Sequence, residues 1–236
     1  MTVSALAMKI LHSRLTNLKK DNTMSEYYLV VIALRLASSL AIHTVSSEYV
    51  SLTIINGFLD LFSQGIPLQA GYSFYYMRRS KRGKGEDDDW TDAVKPIGTA
   101  RTIEEFWAIY DYIVRPDALP STTDYHFFRE GVKPTWEDLV NAAGGKWTVR
   151  LPKKGLLGAR YWEEVILALI GGQFVGIPDG EITGAVISCR DREDVLSVWT
   201  KSGGNARMVN KVKEATRRLL RLPNHVTLHY HNHPRT

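Results

Sequence analysis

Residues Lys133 to Leu151 read KPTWEDLVNAAGGKWTVRL, and the rest of the chain is organised around this stretch. Pro134 biases the residues before it away from helix and towards an extended or loop backbone. Trp136 therefore sits in a loop, beside the carboxylates Glu137 and Asp138. The pair Gly144–Gly145 follows, then the strand-like run KWTVRL with Lys146 at its start. An aromatic ring next to an acid can hold a flat heteroaromatic ring: the indole stacks, and the carboxylate accepts two parallel N–H bonds from the ring edge. Guanine offers such an edge through N1–H and its exocyclic amine. The competing reading makes Trp136 a loop plug and Glu137 a solvated acid.

The chain has 236 residues and a formal net charge of +5, enough length for one sizeable core and a balance compatible with a phosphate-bearing partner. Its single cysteine, Cys189, excludes an internal disulfide or a thiolate zinc site and points to the cytosol or nucleus. All six tryptophans and all nine prolines lie beyond residue 65, and residues 1–64 hold one glycine, Gly57. The expected organisation is an atypical N-terminal extension over 1–64, loosely ordered or a non-native leader, and a globular domain over 65–236. Within the extension, residues 27–45 (YYLVVIALRLASSLAIHTV) are the one candidate membrane stretch, and the central Arg35 argues against a span.

Beyond Pro67 the pattern is regular. Gly71–Arg79, Val94–Ile97, Asp124–Phe128, the KWTVRL run, Glu181–Arg190, Asp194–Lys201 and His225–His231 read as strands. A helix begins at Thr102, with Glu105 three residues on completing a capping box. Its stripe of Ile103, Phe106, Trp107 and Tyr110 is either all core or leaves Trp107 outward. Ala159–Gly171 is a second helix, apolar on every side in its VILALI half; either another protein covers the surplus face or the segment is fully buried. Gly203, Gly204 and Asn205 lead into a basic third helix ending near Leu222. This is an α+β layout, an antiparallel or mixed sheet backed by three helices.

No GxSxG, phosphate-loop, HExxH or dinucleotide motif occurs. His229, His231 and His233 alternate and could in principle hold zinc, which keeps a metal-dependent hydrolase open as an alternative, beside a membrane-anchored scaffold using 27–45. The stronger constellation is one for binding: Trp90 on a charged loop, Trp136 and Glu137, and the cations Lys146, Arg190 and Arg192 at strand ends. Two indoles around one ring are worth most when the ring is positively charged, which favours 7-methylguanine over guanine. The cations would take attached phosphates.

PLQAGYSFYYMRR, TIEEFWAIY, KPTWEDLVNAAGGKW, YWEEVILALIG and EITGAVISCRDREDVLSVW, in this order and spacing, resemble the eukaryotic translation initiation factor 4E family from about Pro67 to Tyr230. Tyr72, Tyr75, the run IVRPDAL, Lys146 and EDVLSVW resemble its class II branch, the 4E-homologous cap-binding proteins. The resemblance implies a curved antiparallel sheet of about eight strands, with three helices on its convex side. It implies a cytoplasmic or nuclear monomer, no enzyme and without cofactor or metal, that binds capped mRNA in translation initiation or its repression. By motif position, Trp90 and Trp136 sandwich the methylated base and Glu137 pairs with its edge. Trp199 meets the N7-methyl, and Lys146, Arg190 and Arg192 face the phosphates. On the convex side, Pro67, Ile103, Trp107, Glu164 and Leu167 match positions that receive a Tyr-x4-Leu-φ helix of scaffold or regulator proteins. Ile66 and Val195 depart from the family, which has His and Lys there.

Overall fold

The computed structural model of the chain describes residues 65–78, 93–153 and 157–234. The chain divides into two compact units, Met1–Ile66 and Pro67–Thr236; the second is described here, and the expectations for 1–64, including the 27–45 stretch, lie outside the described residues. Seven strands, β1 (Pro67–Arg78), β2 (Val94–Thr102), β3 (Thr123–Arg129), β4 (Gly145–Pro152), β5 (Ile182–Cys189), β6 (Glu193–Thr200) and β7 (His229–Asn232), form one curved, unclosed antiparallel sheet. Its order is β2-β1-β3-β5-β6-β4-β7, seven strands among the described residues where about eight were expected.

Three helices, α1 (Ile103–Tyr110), α2 (Leu157–Ile170) and α3 (Ala206–Leu219), back the sheet. Thr102 caps α1 as expected: its hydroxyl accepts from Glu105 N, and the Glu105 carboxylate accepts from Thr102 N. The α1 stripe divides, with Ile103, Phe106 and Tyr110 buried and Trp107 half-buried. In α2, every residue from Val165 to Ile170 is buried, Leu167 least so at 9% exposure, so burial accounts for most of the all-apolar VILALI run. Asn205 caps α3 by accepting from Met208 N at 3.1 Å, and the helix stops at Leu219, before Arg221 at φ 48°.

Side-chain alternation sorts the sheet into two faces. On the helix side, Phe74, Phe106 and Phe127 pack with ring centroids 4.4–5.9 Å apart. Trp147 reaches α3 by donating its indole N–H to the Val209 carbonyl at 2.9 Å. Cys189 also lies on this side, buried, and burial pushes its thiol up to about 12, so it supplies no thiolate at neutral pH. The last strand starts at His229 instead of His225, because the Val226 carbonyl accepts from Arg217 and that of Pro223 from both Arg217 and Val226 N. Those acceptors are no longer open to a ladder.

Candidate functional site

The other face of the sheet carries the polar half of each alternation. Register aligns Met77, Asp124, Ser188 and Val195 in one row; Tyr75, His126, Val186, Ser197 and Thr148 form the next. A third row runs Ser73, Phe128, Gly184, Trp199, Lys146 and His231. Gly184 leaves a gap in that row: a Cβ there would lie 2.5 Å from the Phe128 ring and 2.6 Å from the Phe127 carbonyl. Across the gap Phe128 and Trp199 meet edge to face, centroids 5.2 Å apart. Above these rows opens a cavity of about 460 Å³ whose walls include Trp136, Glu137, Lys146, Arg190 and Trp199. Five of the seven residues expected to contact the ligand thus come together.

The loop between β3 and β4 holds Trp136 at the rim. Trp136 is half-buried and rests, with Val140, on a buried cluster of Phe128, Val132, Val186 and Trp199, while Glu137 is exposed beside it. Neighbouring polar side chains tie the loop to itself. The Asp138 carboxylate accepts from Lys133 N and Val140 N, both at 2.9 Å. The amide of Asn141, fully buried, donates to the Lys133 and Thr135 carbonyls, both at 2.9 Å. The indole of Trp136 and the carboxylate of Glu137 are therefore presented by a backbone that is pinned on both sides.

The cavity lining also carries the cations Arg190 and Lys146. The Arg190 guanidinium reaches Asp124 with both terminal nitrogens, at 2.5 and 3.2 Å, and donates to the Cys189 carbonyl at 2.9 Å. Asp124 is 1% exposed, so the pair fixes the guanidinium at the cavity wall as a fork. Lys146 Nζ lies 5.4 Å from the Trp199 ring centroid. The imidazole of His233 packs on the same indole, 4.3 Å between centroids, and its backbone N–H is held by the Gly144 carbonyl. Burial, reinforced by the Lys146 charge, lowers its pKa to about 4, against a hydrogen bond with the Gly145 backbone. It is neutral at physiological pH, compatible with the lysine beside it.

Two expected contacts are not brought to the cavity by the described residues. Arg192 is exposed in the β5–β6 turn and does not line the cavity; the tight turn carries it past the last paired residues. Trp90 lies outside the described residues. Among the described residues no three His, Cys, Asp or Glu side chains cluster to hold a metal. The alternating histidines part company: β4 register puts His229 and His231 on the cavity face, and His233 turns onto Trp199. No helix among the described residues is long and apolar enough to cross a membrane.

Asp124, His126 and Asn141 went unnoticed in the sequence as site residues, and His231 and His233 were read there only as zinc candidates. The signal for the first two was present: in TDYHFFR, Asp124 and His126 are polar at alternate positions of an otherwise apolar strand. On the helix side, Pro67 is exposed, and Trp107 and Glu164 are half-buried, with Glu164 accepting from Arg160 Nε at 2.8 Å. Ile103, at 1% exposure, belongs to the core instead of presenting contact area, because it is the first buried position of the α1 stripe; Leu167 is 9% exposed.

The family model described as "Eukaryotic initiation factor 4E" matches residues 67–236. Among curated proteins, Caenorhabditis elegans eukaryotic translation initiation factor 4E-4 is 40% identical over 166 residues, 70% of this chain and 76% of its own. Arabidopsis thaliana eukaryotic translation initiation factor NCBP is 38% identical, covering 71% and 73%. Among solved structures, C. elegans eIF4E-3 in complex with the 4E-binding protein Mextli superposes with a TM-score of 0.65 at 31% identity, covering 71% of this chain and 93% of that one. Ascaris suum eIF4E-3 in complex with the m7G cap gives the same score at 32% identity, covering 72% and 92%. With the sheet order, the cavity and these matches in agreement, the chain belongs to the eukaryotic initiation factor 4E family.

Proposed function

We propose that residues 65–236 bind the 7-methylguanosine cap of mRNA, without covalent chemistry, and act in translation initiation or its repression. The observation that carries this reading is the pairing of Trp136 and Glu137 on a pinned loop, over a cavity that Lys146 and Arg190 also line. The indole of Trp136 stacks on the base, and Trp90 supplies the second face. Methylation at N7 gives the base a formal positive charge, and each indole face then adds a cation–π attraction of about 0.5–2 kcal/mol. The Glu137 carboxylate accepts from N1–H and the amine, and Trp199 meets the methyl group. Lys146 and Arg190 take the phosphates, with Arg192 reaching them from the turn. The m7G cap bound by the A. suum relative supports the ligand, and the Mextli complex of the C. elegans relative supports a protein partner. Such a partner docks on the helix side around Pro67, Trp107, Glu164 and Leu167 through a Tyr-x4-Leu-φ helix.

The test is retention on 7-methyl-GTP resin. Free 7-methyl-GTP should compete far better than GTP, Trp136→Ala should abolish retention in a folded protein, and Glu137→Ala should cost about 1.5–3 kcal/mol for the lost charged hydrogen bonds. Equal competition by the two nucleotides would refute the charged-ring account.

A further inference from the structure

The cations of α3 divide into two sets. Lys213 lies over the Trp147 ring at 5.5 Å, and Arg217 donates to the Pro223 and Val226 carbonyls, so both are spent on the fold. Arg207, Lys211 and Arg218 are exposed and make no ion pair or side-chain hydrogen bond to any described residue. Elsewhere Arg101, Arg129, Arg150 and Arg190 each sit on a carboxylate. At helical spacing, positions 207, 211 and 218 fall within about 40° of one another and span about 16 Å of the axis. They edge a groove of about 470 Å³, closed on its other side by Val175, Gly176 and Ile177, with Val175 78% exposed. A row of unneutralised charges beside an apolar wall suits a chain with evenly spaced anions and flat apolar faces, which describes single-stranded RNA. Glu214, also on the groove, is the one acid of the helix and weakens the site without closing it.

The groove is also placed to receive the RNA that a bound cap would bring. Gly203, just before α3, abuts the residue leading into β4 and the last residue of β7: a Cβ on it would lie 2.6 Å from the Gly144 carbonyl and 2.8 Å from Asn232 Oδ1. Those two strands carry Lys146 and His231 to the cavity. A strand leaving the cavity over the β7 edge therefore meets the amino end of α3 and Arg207 first. We infer that the Arg207–Lys211–Arg218 face of α3 is a second, sequence-independent binding site for the RNA body downstream of the cap. This inference deepens the cap-binding reading and rests on it for the source of the RNA, not for the groove itself.

Fluorescence anisotropy with a capped 12-nucleotide RNA, the same RNA uncapped, and 7-methyl-GTP as competitor tests it. The wild type should hold the capped RNA about tenfold more tightly than 7-methyl-GTP at low salt, as expected of a few added phosphate contacts. The triple variant Arg207→Ala/Lys211→Ala/Arg218→Ala should lose that advantage, keep 7-methyl-GTP affinity within about twofold, and reduce the slope of log K against log salt by about 2. Glu214→Gln should strengthen uncapped RNA binding. Equal affinity of wild type and triple variant for the capped RNA overturns the proposal, as does an equal loss when Lys95, Arg101 and Arg160 are replaced instead. Tighter binding of a poly-glutamate 12-mer than of uncapped RNA also overturns it, in favour of an acidic protein segment. If 7-methyl-GTP fails to bind while the triple variant still loses uncapped RNA, the cap reading falls and the α3 site stands.

Discussion

Asn141 is the place where the presentation of Trp136 can be tested without touching a ligand contact. Its side chain is fully buried; Nδ2 makes two hydrogen bonds of 2.9 Å to the Lys133 and Thr135 carbonyls, and Oδ1 has no hydrogen-bond partner among the described residues. Asn141→Ala therefore removes two bonds and nothing else of consequence. At about 1 kcal/mol net for each, the loop loses about 2 kcal/mol of its hold on the conformation that presents Trp136 and Glu137. That energy must be returned when the ligand orders the loop again, so 7-methyl-GTP should bind about 10- to 30-fold more weakly by calorimetry. The melting temperature should fall by about 4–8 °C for a domain of this size. Asn141→Asp, which replaces the donating amide by a carboxylate facing two carbonyls, should be worse than alanine on both counts. A lowered melting temperature with unchanged affinity would refute the reasoning: packing of Trp136 on Val186 and Trp199 would then suffice to present the ring.

Val195 lines the cavity in register with Ser188 and Arg150. Val195→Lys should tighten 7-methyl-GTP by about 0.5–1 kcal/mol and leave 7-methylguanosine, which has no phosphate, unchanged; an equal gain for both would place the new charge elsewhere. His233 has a folded pKa of about 4, below the ordinary 6.5, so on acidification the unfolded chain takes the proton first. Stability is whole above about 6.5 and falls as pH drops towards 4, and His233→Phe, which keeps a ring on Trp199, should flatten that limb of the melting profile. The same fall in variant and wild type would remove His233 as its source. Trp107→Ala should spare 7-methyl-GTP binding and lose a Tyr-x4-Leu-φ peptide in a pulldown; retained peptide would move the partner site off α1.

How far the sequence carried the reading depended on the range of the interaction involved. Local chemistry was legible: the Thr102–Glu105 box, the start of α3 after Gly203–Asn205 and six of the seven strands appear within a few residues of where turn residues and alternation put them. Trp136, Glu137, Lys146, Arg190 and Trp199 could be named because they sit beside strand ends and because the family motif aligns them. What stayed hidden was set by pairing across the sheet. Nothing local connects Asp124 to Arg190, 66 positions apart, or His233 to Trp199. The VILALI run shows the converse limit, since composition alone cannot tell which side of an all-apolar helix the fold buries, and the structure buries most of it. The start of β7 was misplaced because Arg217, nine positions upstream of Val226, claims the carbonyls a longer strand would have used.

The missing side chain at Gly184 has a consequence for how this pocket can change. Phe128 and Trp199 touch only because that position is bare, and any substituent there would strike both a ring and the main chain of β3. The depth of the pocket is thus inherited from the packing of the sheet and cannot drift separately from it. Altered ligand preference has to arise at the lip, in the segment around Trp136 or in the β5–β6 turn. Libraries aimed at new selectivity should diversify those two segments and leave the base of the pocket untouched.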